Sequence, residues 1–376
     1  MTKYSKIYCE HCIRLKLINE TWASGNKKLD IFLRKCQDES PVPHCIVEWI
    51  EFCELENVKF LAEGGLGKVY SQCGHVVRSM GWNETSNTFV RKRRNVALKV
   101  FNGDGLPDEE FFQEAYWNHI FTKQRNYRPC VVGVLGFTNN QEGKYMIVLD
   151  LCEGGDLQNY LQKHYKIMGW KDRVKVAWDI SYDIHRIVEN GSIHGDLHPG
   201  NILLLNECMI DDWYISDLGT CGPVDMTKDQ KREIKRVLPY MAPELLCGDC
   251  KTQESDIYSF GIIMWTISAG CIPFNDRYGD PCLVNDIICG LRPSIIPGTP
   301  KEYTELMRKC WDKDPHNRIS ARDAVQTLKV LLRDIIENNF IDEYPCEINN
   351  SWDPLKSDFT VFRTSELLSI SHLTSH

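Results

Sequence analysis

The first half of the chain carries the apolar spacing of β-strands. Apolar residues alternate with polar ones, or run in short blocks, in three segments that we predict to be strands, residues 95–101, 131–137 and 145–152. Between the first two, residues 108–117 have helical spacing and an acidic first turn, which the helix dipole favours. The pattern therefore predicts a sheet accompanied by one helix.

The second half changes to helical spacing. From Asp156 onward, apolar residues recur every three or four positions, most clearly over 157–165 and 170–189. Residues 209–219 interrupt this pattern with a predicted hairpin. An apolar helix follows over 255–265, and the helical pattern ends near Asn338.

Composition limits the kind of protein that this can be. The chain has 376 residues, of which 43% are hydrophobic, enough for a substantial core. Its net charge of −8 argues against nonspecific binding to nucleic acid or to an anionic membrane. The first residues lack a signal-peptide apolar core, and no apolar run has the length of a membrane span. We expect an intracellular protein, in the cytoplasm, with no nucleic-acid partner and no membrane insertion.

Cysteine is frequent, with 17 residues scattered through apolar segments such as those around Cys289 and Cys310. So many cysteines in a short secreted chain would indicate a disulfide framework. In a reducing compartment we expect them to act as small buried apolar residues.

Residues 1–54 precede the segments with recognisable chemistry. Cys9 and Cys12 form a C-x-x-C pair, which suggests half of a zinc site, but no second pair follows at zinc-finger spacing. The residues that could complete such a site are His11, Cys36, His44 and Cys45. Free thiols are the favoured alternative, and zinc is not expected. The segment 47–52 is predicted to pack onto the following domain as a strand or a helix.

A glycine-rich stretch, residues 58–70, contains Gly64, Gly65 and Gly67. Such a stretch could open a dinucleotide-binding unit if a helix followed it. Because a further strand follows instead, we predict a loop between two antiparallel strands. Without side chains at Gly64 and Gly67, backbone N–H groups can close over phosphate oxygens.

Basic residues occur in two settings nearby. The run Arg91–Arg94 lies in a connection that is longer than a hairpin needs, and a solvated loop is favoured there over a nuclear import signal. Lys99 is instead a single inward-facing lysine in the apolar segment 95–101. A lysine desolvated among apolar neighbours requires an anion as its partner.

The loop over 192–204 carries candidate chemistry. Asp196 lies between glycine and proline, Asn201 follows five residues later, and an apolar run comes next. Phosphoryl transfer needs a carboxylate that orients the attacking hydroxyl and takes its proton, and a second oxygen ligand for Mg²⁺. Asp196 and Asn201 fit these two roles, while a loop with a capping aspartate is the alternative.

In order and spacing, these motifs resemble those of the eukaryotic protein kinases, in the tyrosine-kinase-like division. The loop 192–204 is similar to the family's catalytic loop, Asp217-Leu218-Gly219 to its D-F-G motif, and Ala242-Pro243-Glu244 to its A-P-E motif. The resemblance implies an α+β, two-lobed protein kinase fold. A small antiparallel β-sheet lobe precedes a larger, mainly α-helical lobe, with MgATP bound in the cleft.

The same resemblance implies roles for individual residues. Lys99 holds the ATP phosphates and pairs with Glu114, Asp196 orients the acceptor hydroxyl, and Asn201 and Asp217 hold Mg²⁺ or Mn²⁺. Backbone groups of Asp150 and Cys152 bind the adenine edge. The full set of implied nucleotide-binding residues is Leu61, Ala62, Glu63, Gly64, Gly65, Gly67, Val69, Ala97, Lys99, Asp150, Cys152 and Leu203. Supporting contacts are implied between Asp256 and the catalytic-loop backbone, and between Arg318 and Glu244.

Departures from the family pattern keep a second hypothesis open. Gly195 replaces an arginine, Leu218 a phenylalanine and Asn118 an apolar residue. The alternative to an active kinase is therefore a pseudokinase that binds nucleotide and acts as a scaffold; a zinc-dependent adaptor built on residues 1–54 is a third hypothesis. In the family, the usual arginine at the position of Gly195 binds a phosphate group on the activation loop, and glycine cannot. We therefore predict activity that does not require phosphorylation of this loop, whose hydroxyl residues include Thr220, Thr227 and Tyr240.

We predict three regions along the chain. Residues 1–54 form a leader, and residues 55–337 form the kinase domain, with a small lobe over 55–150 and a large lobe over 153–337. Residues 338–376 are a polar Ser/Thr-rich tail, either disordered or a docking peptide for an unnamed partner. Leader and tail resemble those of a large group of fungal kinase-like proteins. The resemblance implies a Ser/Thr rather than a Tyr acceptor, on an unidentified protein substrate.

Overall fold

The computed structural model describes most of the chain between residues 23 and 337. The described ranges are 23–40, 45–63, 67–83, 88–101, 106–123, 130–207, 210–223, 238–277 and 280–337, without the side chains of 73–83, 88–94, 206–207 and 210–211. Several predicted features therefore lie outside the described residues: Cys9, His11, Cys12, His44, Gly64, Gly65, Thr227 and the tail 338–376. The chain forms two compact units, Met1–Glu153 with Ser216–Cys221, and Gly154–Ile215 with Gly222–His376.

The first unit is built on a six-stranded sheet in the order β1-β5-β6-β4-β3-β2. Neighbouring strands are antiparallel except for β1, which runs parallel to β5. Strands β2 and β3, which contain the described parts of the glycine-rich stretch, are antiparallel neighbours, as predicted. The strands are β1 Glu48–Trp49, β2 Lys59–Glu63, β3 Gly67–Asn83, β4 Thr88–Phe101, β5 Val134–Asn139 and β6 Tyr145–Asp150.

The prediction of a solvated loop at Arg91–Arg94 is wrong. These residues lie inside β4, where they pair with Val76, Val77, Arg78 and Ser79 of β3. A charge run says nothing about the backbone, whose N–H and C=O groups are satisfied here by a hairpin longer than the apolar alternation suggested.

Two helices cover one face of this sheet, α1 (Lys27–Glu39) and α2 (Glu109–Lys123). Helix α1 begins at Asn26, whose side chain accepts hydrogen bonds from the backbone of Lys28 and Leu29. The shared core contains Leu29, Leu33, Cys36, Val47, Phe101, Phe111, Ala115, Val134, Phe137 and Ile147. A second core lies on Ile50, Leu55, Val96, Leu98, Leu135, Met146 and Val148. Alternation along β4 separates the two sets, since Leu98 belongs to one and Phe101 to the other.

The second unit is mainly helical, as predicted. Its helices are α3 Leu157–His164, α4 Trp170–Glu189, α5 Pro243–Leu246, α6 Gln253–Ala269, α7 Leu283–Cys289, α8 Lys301–Cys310 and α9 Ala321–Glu337. Two short ribbons accompany them, β7 (Ser192–Ile193) with β10 (Gly222–Pro223) and β8 (Ile202–Glu207) with β9 (Ile210–Ile215). Every residue of α6 from Ser255 to Ala269 is buried, which is expected of a helix that is apolar all round. The sheet unit and the helical unit confirm the predicted α+β kinase fold.

The prediction for the cysteines holds only in part. The twelve cysteines whose side chains the structure describes are free thiols, and Cys310 is buried as predicted. The prediction is wrong for Cys289, which is exposed. Cys289 is the last residue of α7 and follows the buried Ile287 by two positions. Residues two positions apart in a helix point to opposite faces, so the Cys289 side chain lies on the face opposite to Ile287. Among the described helices, none is long and apolar enough to cross a membrane.

Candidate active site

Three predicted site residues meet in the first unit. Lys99 is 8% exposed, and its ammonium donates to both carboxylate oxygens of Glu114 at 2.8 and 2.7 Å. The same nitrogen lies 2.9 Å from Oδ1 of Asp217. The structure thus provides the anions that a desolvated lysine needs, and it places Glu114 rather than Glu109 or Glu110 beside Lys99.

Local sequence explains how these side chains converge. Helix α2 begins after Asp108, whose carboxylate accepts from the backbone N–H of Phe111. Glu114 lies between Phe111 and Ala115, which are both buried in the core, so its side chain is carried inward with them. The segment with Asp217 is fastened to the same helix, because Gln113 Nε2 donates to the carbonyl of Cys221 at 2.8 Å.

The backbone at Asp217 has an unusual conformation. Its φ of 61° lies in the left-handed region, which non-glycine residues rarely adopt. The next residues, Leu218–Thr220, form a 3₁₀ turn whose leucine is fully buried. Leu218 therefore supplies a buried apolar side chain at the position where the family usually has phenylalanine.

Burial and charge oppose each other in this cluster. Burial by itself lowers the pKa of Lys99, but the carboxylates of Asp217 and Glu114 outweigh it and leave that pKa raised. For Glu114, burial is the stronger influence and raises its pKa to about 7, although Lys99 acts in the other direction. The protonation of Glu114 is thus sensitive to its exact contact with Lys99.

The other two predicted catalytic residues meet in the second unit. Asp196 and Asn201 lie in the loop between β7 and β8, and Asn201 Nδ2 donates to the Asp196 carbonyl at 2.9 Å. The Asp196 N–H donates to Nδ1 of the buried His194 at 3.2 Å. Both ends of the Asp196 backbone are therefore fixed, and this orients its half-buried side chain.

The predicted support of this loop by Asp256 is present. The Asp256 carboxylate accepts from the backbone N–H of His194 at 2.6 Å and from that of Gly195 at 2.9 Å. Burial raises the pKa of Asp256, while His194 and the two hydrogen bonds act against the rise. The predicted pair of Arg318 and Glu244 is present too, with bidentate contacts of 2.6 and 2.8 Å.

These observations can be set beside known proteins. The family model of protein tyrosine and serine/threonine kinases matches residues 55–328, which is more than half of the chain. The chain belongs to this kinase family. Membership confirms the resemblance drawn from the motifs, and the family implies ATP and a divalent metal ion, normally Mg²⁺.

Relatives of this kinase are similar at modest identity. A probable serine/threonine-protein kinase of Dictyostelium discoideum is 24% identical over 329 residues, which cover 81% of this chain and 16% of that protein. A probable LIM domain-containing serine/threonine-protein kinase of the same organism is 29% identical over 274 residues, covering 72% and 38%. Mitogen-activated protein kinase kinase kinase 7 of Homo sapiens is 26% identical over 322 residues, covering 83% and 47%. The kinase described here spans less than half the length of each of these three. The likeness to a fungal group stays a prediction.

The predicted metal ligands have suitable chemistry for Mg²⁺. Asp217 offers carboxylate oxygens, and Asn201 an amide oxygen whose orientation is fixed because its Nδ2 donates to Asp196. Mg²⁺ prefers such hard oxygen ligands and takes further ligands from substrate phosphates. Among the described residues, no three or more His, Cys, Asp or Glu side chains form a metal-binding group.

The predicted adenine and phosphate contacts are distributed over the strands of both units. Leu61, Ala62 and Glu63 lie in β2, and Gly67 and Val69 in β3, whereas Ala97 lies in β4 and Leu203 in β8. Asp150 ends β6, and its N–H donates to the Gly133 carbonyl at 3.0 Å. Because the Asp150 N–H is already bonded to Gly133, the backbone group that Asp150 would offer to an adenine edge is its carbonyl oxygen. The roles of these residues and of Cys152 stay predictions.

Two departures from the family pattern have local explanations. Asn118 is buried, but its Nδ2 donates to the Glu114 carbonyl at 2.9 Å, so the polar group is satisfied by its own helix. Gly195 has a φ of 74°, and a Cβ there would lie 2.6 Å from Cδ of Lys251. The aliphatic part of Lys251 thus fills the space that a larger residue would need. Neither departure removes a group that is predicted to touch phosphate or metal.

Two further predictions concern residues that prove to be buried. Tyr240, named above among the hydroxyl residues of the activation loop, is only 3% exposed, and its oxygen lies 3.0 Å from the Thr266 hydroxyl. Cys36 and Cys45, considered as zinc ligands, are packed in the first unit, and burial raises the pKa of Cys36 to about 12. These two thiols serve as core side chains in this structure.

Sequence reasoning missed the role of helix α1. Leu29, Phe32, Leu33 and Cys36 have the spacing of a helix face. The pattern did not show that this face packs with the helix that carries Glu114. Lys251, whose side chain lies over Gly195, was also missed, and no local sequence signal indicates it.

Proposed function

We propose that this chain transfers the γ-phosphoryl group of MgATP to a serine or threonine hydroxyl of a protein. The observation that carries the proposal is the contact of Lys99 with Glu114 and Asp217 at 2.7 to 2.9 Å in a buried setting. A desolvated ammonium held by carboxylates provides the fixed positive charge that phosphates require. The serine/threonine acceptor is supported by the two relatives from Dictyostelium discoideum, which are probable serine/threonine-protein kinases.

Each residue has a defined task in this mechanism. Lys99 neutralises phosphate charge, and Glu114 keeps the ammonium in place. Asp196 orients the acceptor hydroxyl and takes its proton, in a loop whose backbone is fixed by His194 and Asn201. Asn201 and Asp217 would hold the metal ion, which when bound neutralises the phosphates and orients the transferred group. Mn²⁺ would suit the same oxygen ligands.

The test measures transfer of labelled γ-phosphate from ATP to peptide libraries in which serine, threonine or tyrosine is the fixed acceptor. We expect labelling of serine or threonine peptides with Mg²⁺ present. Asp196→Asn should lower kcat by about 10²- to 10⁴-fold, the usual contribution of a positioned general base. Asp334→Asn, the same chemical change at an exposed site on α9, is the matched control and should leave kcat unchanged.

The alternative function gives a different result. If the wild-type protein binds ATP by calorimetry but labels no peptide above the Asp196→Asn level, the chain is a nucleotide-binding scaffold. Labelling of tyrosine peptides alone would contradict the proposed acceptor class. The cytoplasmic location and a docking partner for the tail stay predictions.

A further inference from the structure

Residues 24–40 and 45–50, which precede the part matched by the kinase family, lie in the same unit as the helix that carries Glu114, and α1 packs against that helix. The ring of Phe32 on α1 meets the ring of Phe112 on α2 edge to face, with centroids 5.8 Å apart. Lys28 Nζ lies 4.4 Å from the centre of the same Phe112 ring. At the other end, Glu39 accepts from Lys123 Nζ at 2.8 Å. The N-terminal part of α1 contacts the N-terminal part of α2, and the C-terminal ends of the two helices contact each other. The helices therefore lie side by side and run in the same direction.

The two helices also share one core. Leu29 and Leu33 of α1 are fully buried in the cluster that contains Phe111 and Ala115 of α2. Phe111 and Ala115 are one helical turn apart and flank Glu114, so the packing of this face sets the rotation of α2 about its axis. A rotation by one residue, about 100°, would carry the Glu114 carboxylate away from Lys99.

Helix α1 is itself tied to the sheet. Strand β1 pairs with β5, and a Cβ on Gly136 of β5 would lie 2.3 Å from the Glu48 carbonyl oxygen. The Tyr145 hydroxyl donates to the Ser24 carbonyl at 2.8 Å, and Gln37 Nε2 donates to the Val47 carbonyl at 3.2 Å. These contacts lie at both ends of α1 and give it a fixed position from which to act on α2.

We propose that residues 24–40 and 45–50 form a built-in positioning element, which holds α2 in the rotation at which Glu114 meets Lys99. Phe32 and Glu39 are positioning residues, since they act on phosphoryl transfer through α2 and Glu114. The proposal rests on the proposed kinase function.

The first experiment compares Phe32→Ala with Ile31→Ala in the full chain. An edge-to-face aromatic pair contributes about the free energy of a tenfold change in an equilibrium. We therefore expect Phe32→Ala to lower kcat/KM for ATP roughly tenfold. Ile31 is the neighbouring residue of the same helix but is 62% exposed, so Ile31→Ala should leave kcat/KM unchanged. Equal losses in the two variants would overturn the proposal.

The second experiment asks whether the effect passes through Glu114. In the Glu114→Gln background, which already lacks the full ion pair, Phe32→Ala should cause no further loss of kcat/KM. If the two losses multiply instead, Phe32 acts elsewhere and the proposal is wrong. Glu39→Gln keeps the side-chain shape at a partly exposed position and should give a smaller loss, about twofold.

The third experiment does not depend on catalysis. Hydrogen exchange of the full chain should show faster exchange of α2 amides in Phe32→Ala than in wild type, with α6 unchanged. This readout remains informative if the chain proves to transfer no phosphate, which would contradict the proposed function but not the positioning. Unchanged exchange in α2 would overturn the positioning element, whatever the activity is. Faster exchange throughout both units would do so as well, because it indicates general destabilisation.

Discussion

The two groups of predicted catalytic residues are stabilised by different kinds of bond. In the first unit, Lys99, Glu114 and Asp217 hold one another by charge, and one of them is carried by helix α2. In the second unit, Asp196 is fixed through its backbone to His194 and Asn201. The first arrangement depends on the position of a helix and on protonation, so it is adjustable. In the second, backbone hydrogen bonds within the loop and from the loop to Asp256 fix Asp196, so that arrangement is not adjustable in this way.

The largest expected effect comes from removing the central charge of the first group. Lys99→Met leaves Glu114 buried without its ammonium, and breaking a buried ion pair costs about 3–5 kcal/mol. Lys144→Met, which removes an exposed lysine 3.0 Å from Glu142, should cost less than about 1 kcal/mol. Urea unfolding of the two variants measures the difference. Similar losses would mean that the buried cluster contributes no more than a surface pair.

The second group is tested by Asp256→Asn. The amide cannot accept from both backbone N–H groups as the carboxylate does, so we expect a loss of about 1–3 kcal/mol in unfolding free energy. Labelling of peptides should slow as well, because His194 and Gly195 directly precede Asp196 in the chain. Asp249→Asn, at an exposed position in the same unit, is the control and should change neither quantity. Slower labelling with undiminished stability would show that the bond supports catalysis alone.

A smaller effect is expected at Gly195. Gly195→Ala places a side chain at φ 74° and against Lys251, whereas Gly191→Ala meets nothing within 4 Å at φ 67°. The left-handed conformation costs each variant about 1–2 kcal/mol. If the unfolding free energy falls further in Gly195→Ala than in Gly191→Ala, the excess measures the clash with Lys251. Combining Gly195→Ala with Lys251→Ala should remove this excess. Gly195→Arg, which restores the usual family residue, should therefore lower the rate of labelling. A rise in that rate would contradict this account of the loop.

The last test is the pH dependence of the first group. The pKa of Glu114 is raised to about 7, so between pH 4.5 and 7 the folded protein retains a proton that the unfolded chain releases. Its contribution to stability is therefore present at low pH and falls as pH rises through this window. The test measures the unfolding free energies of wild type and Glu114→Gln at pH 5 and at pH 8. The unfolding free energy of wild type, relative to that of the variant, should be lower at pH 8 than at pH 5. A constant difference would mean that Glu114 has an ordinary pKa.

The sequence was sufficient wherever a feature depends on local spacing. Helix α4 was predicted over 170–189 and has these bounds, because its apolar residues recur on one face over five turns. The pairing of Lys99 with Glu114 was accessible through the family pattern. Helix α1 was not placed on α2, because the contact of Phe32 with Phe112 joins residues far apart in the chain and outside the family pattern. Cys289 and the run Arg91–Arg94 show the same limit, since composition alone does not give a face or a strand partner.

The parallel pairing of β1 with β5 has a practical consequence. Without residues 24–50, β5 would become the open edge of the sheet, with unpaired backbone groups and an uncovered apolar face beside it. Open edges of this kind pair with other chains. A protein shortened to begin at residue 55 is therefore expected to aggregate when it is produced, even though it would retain every residue that the family shares.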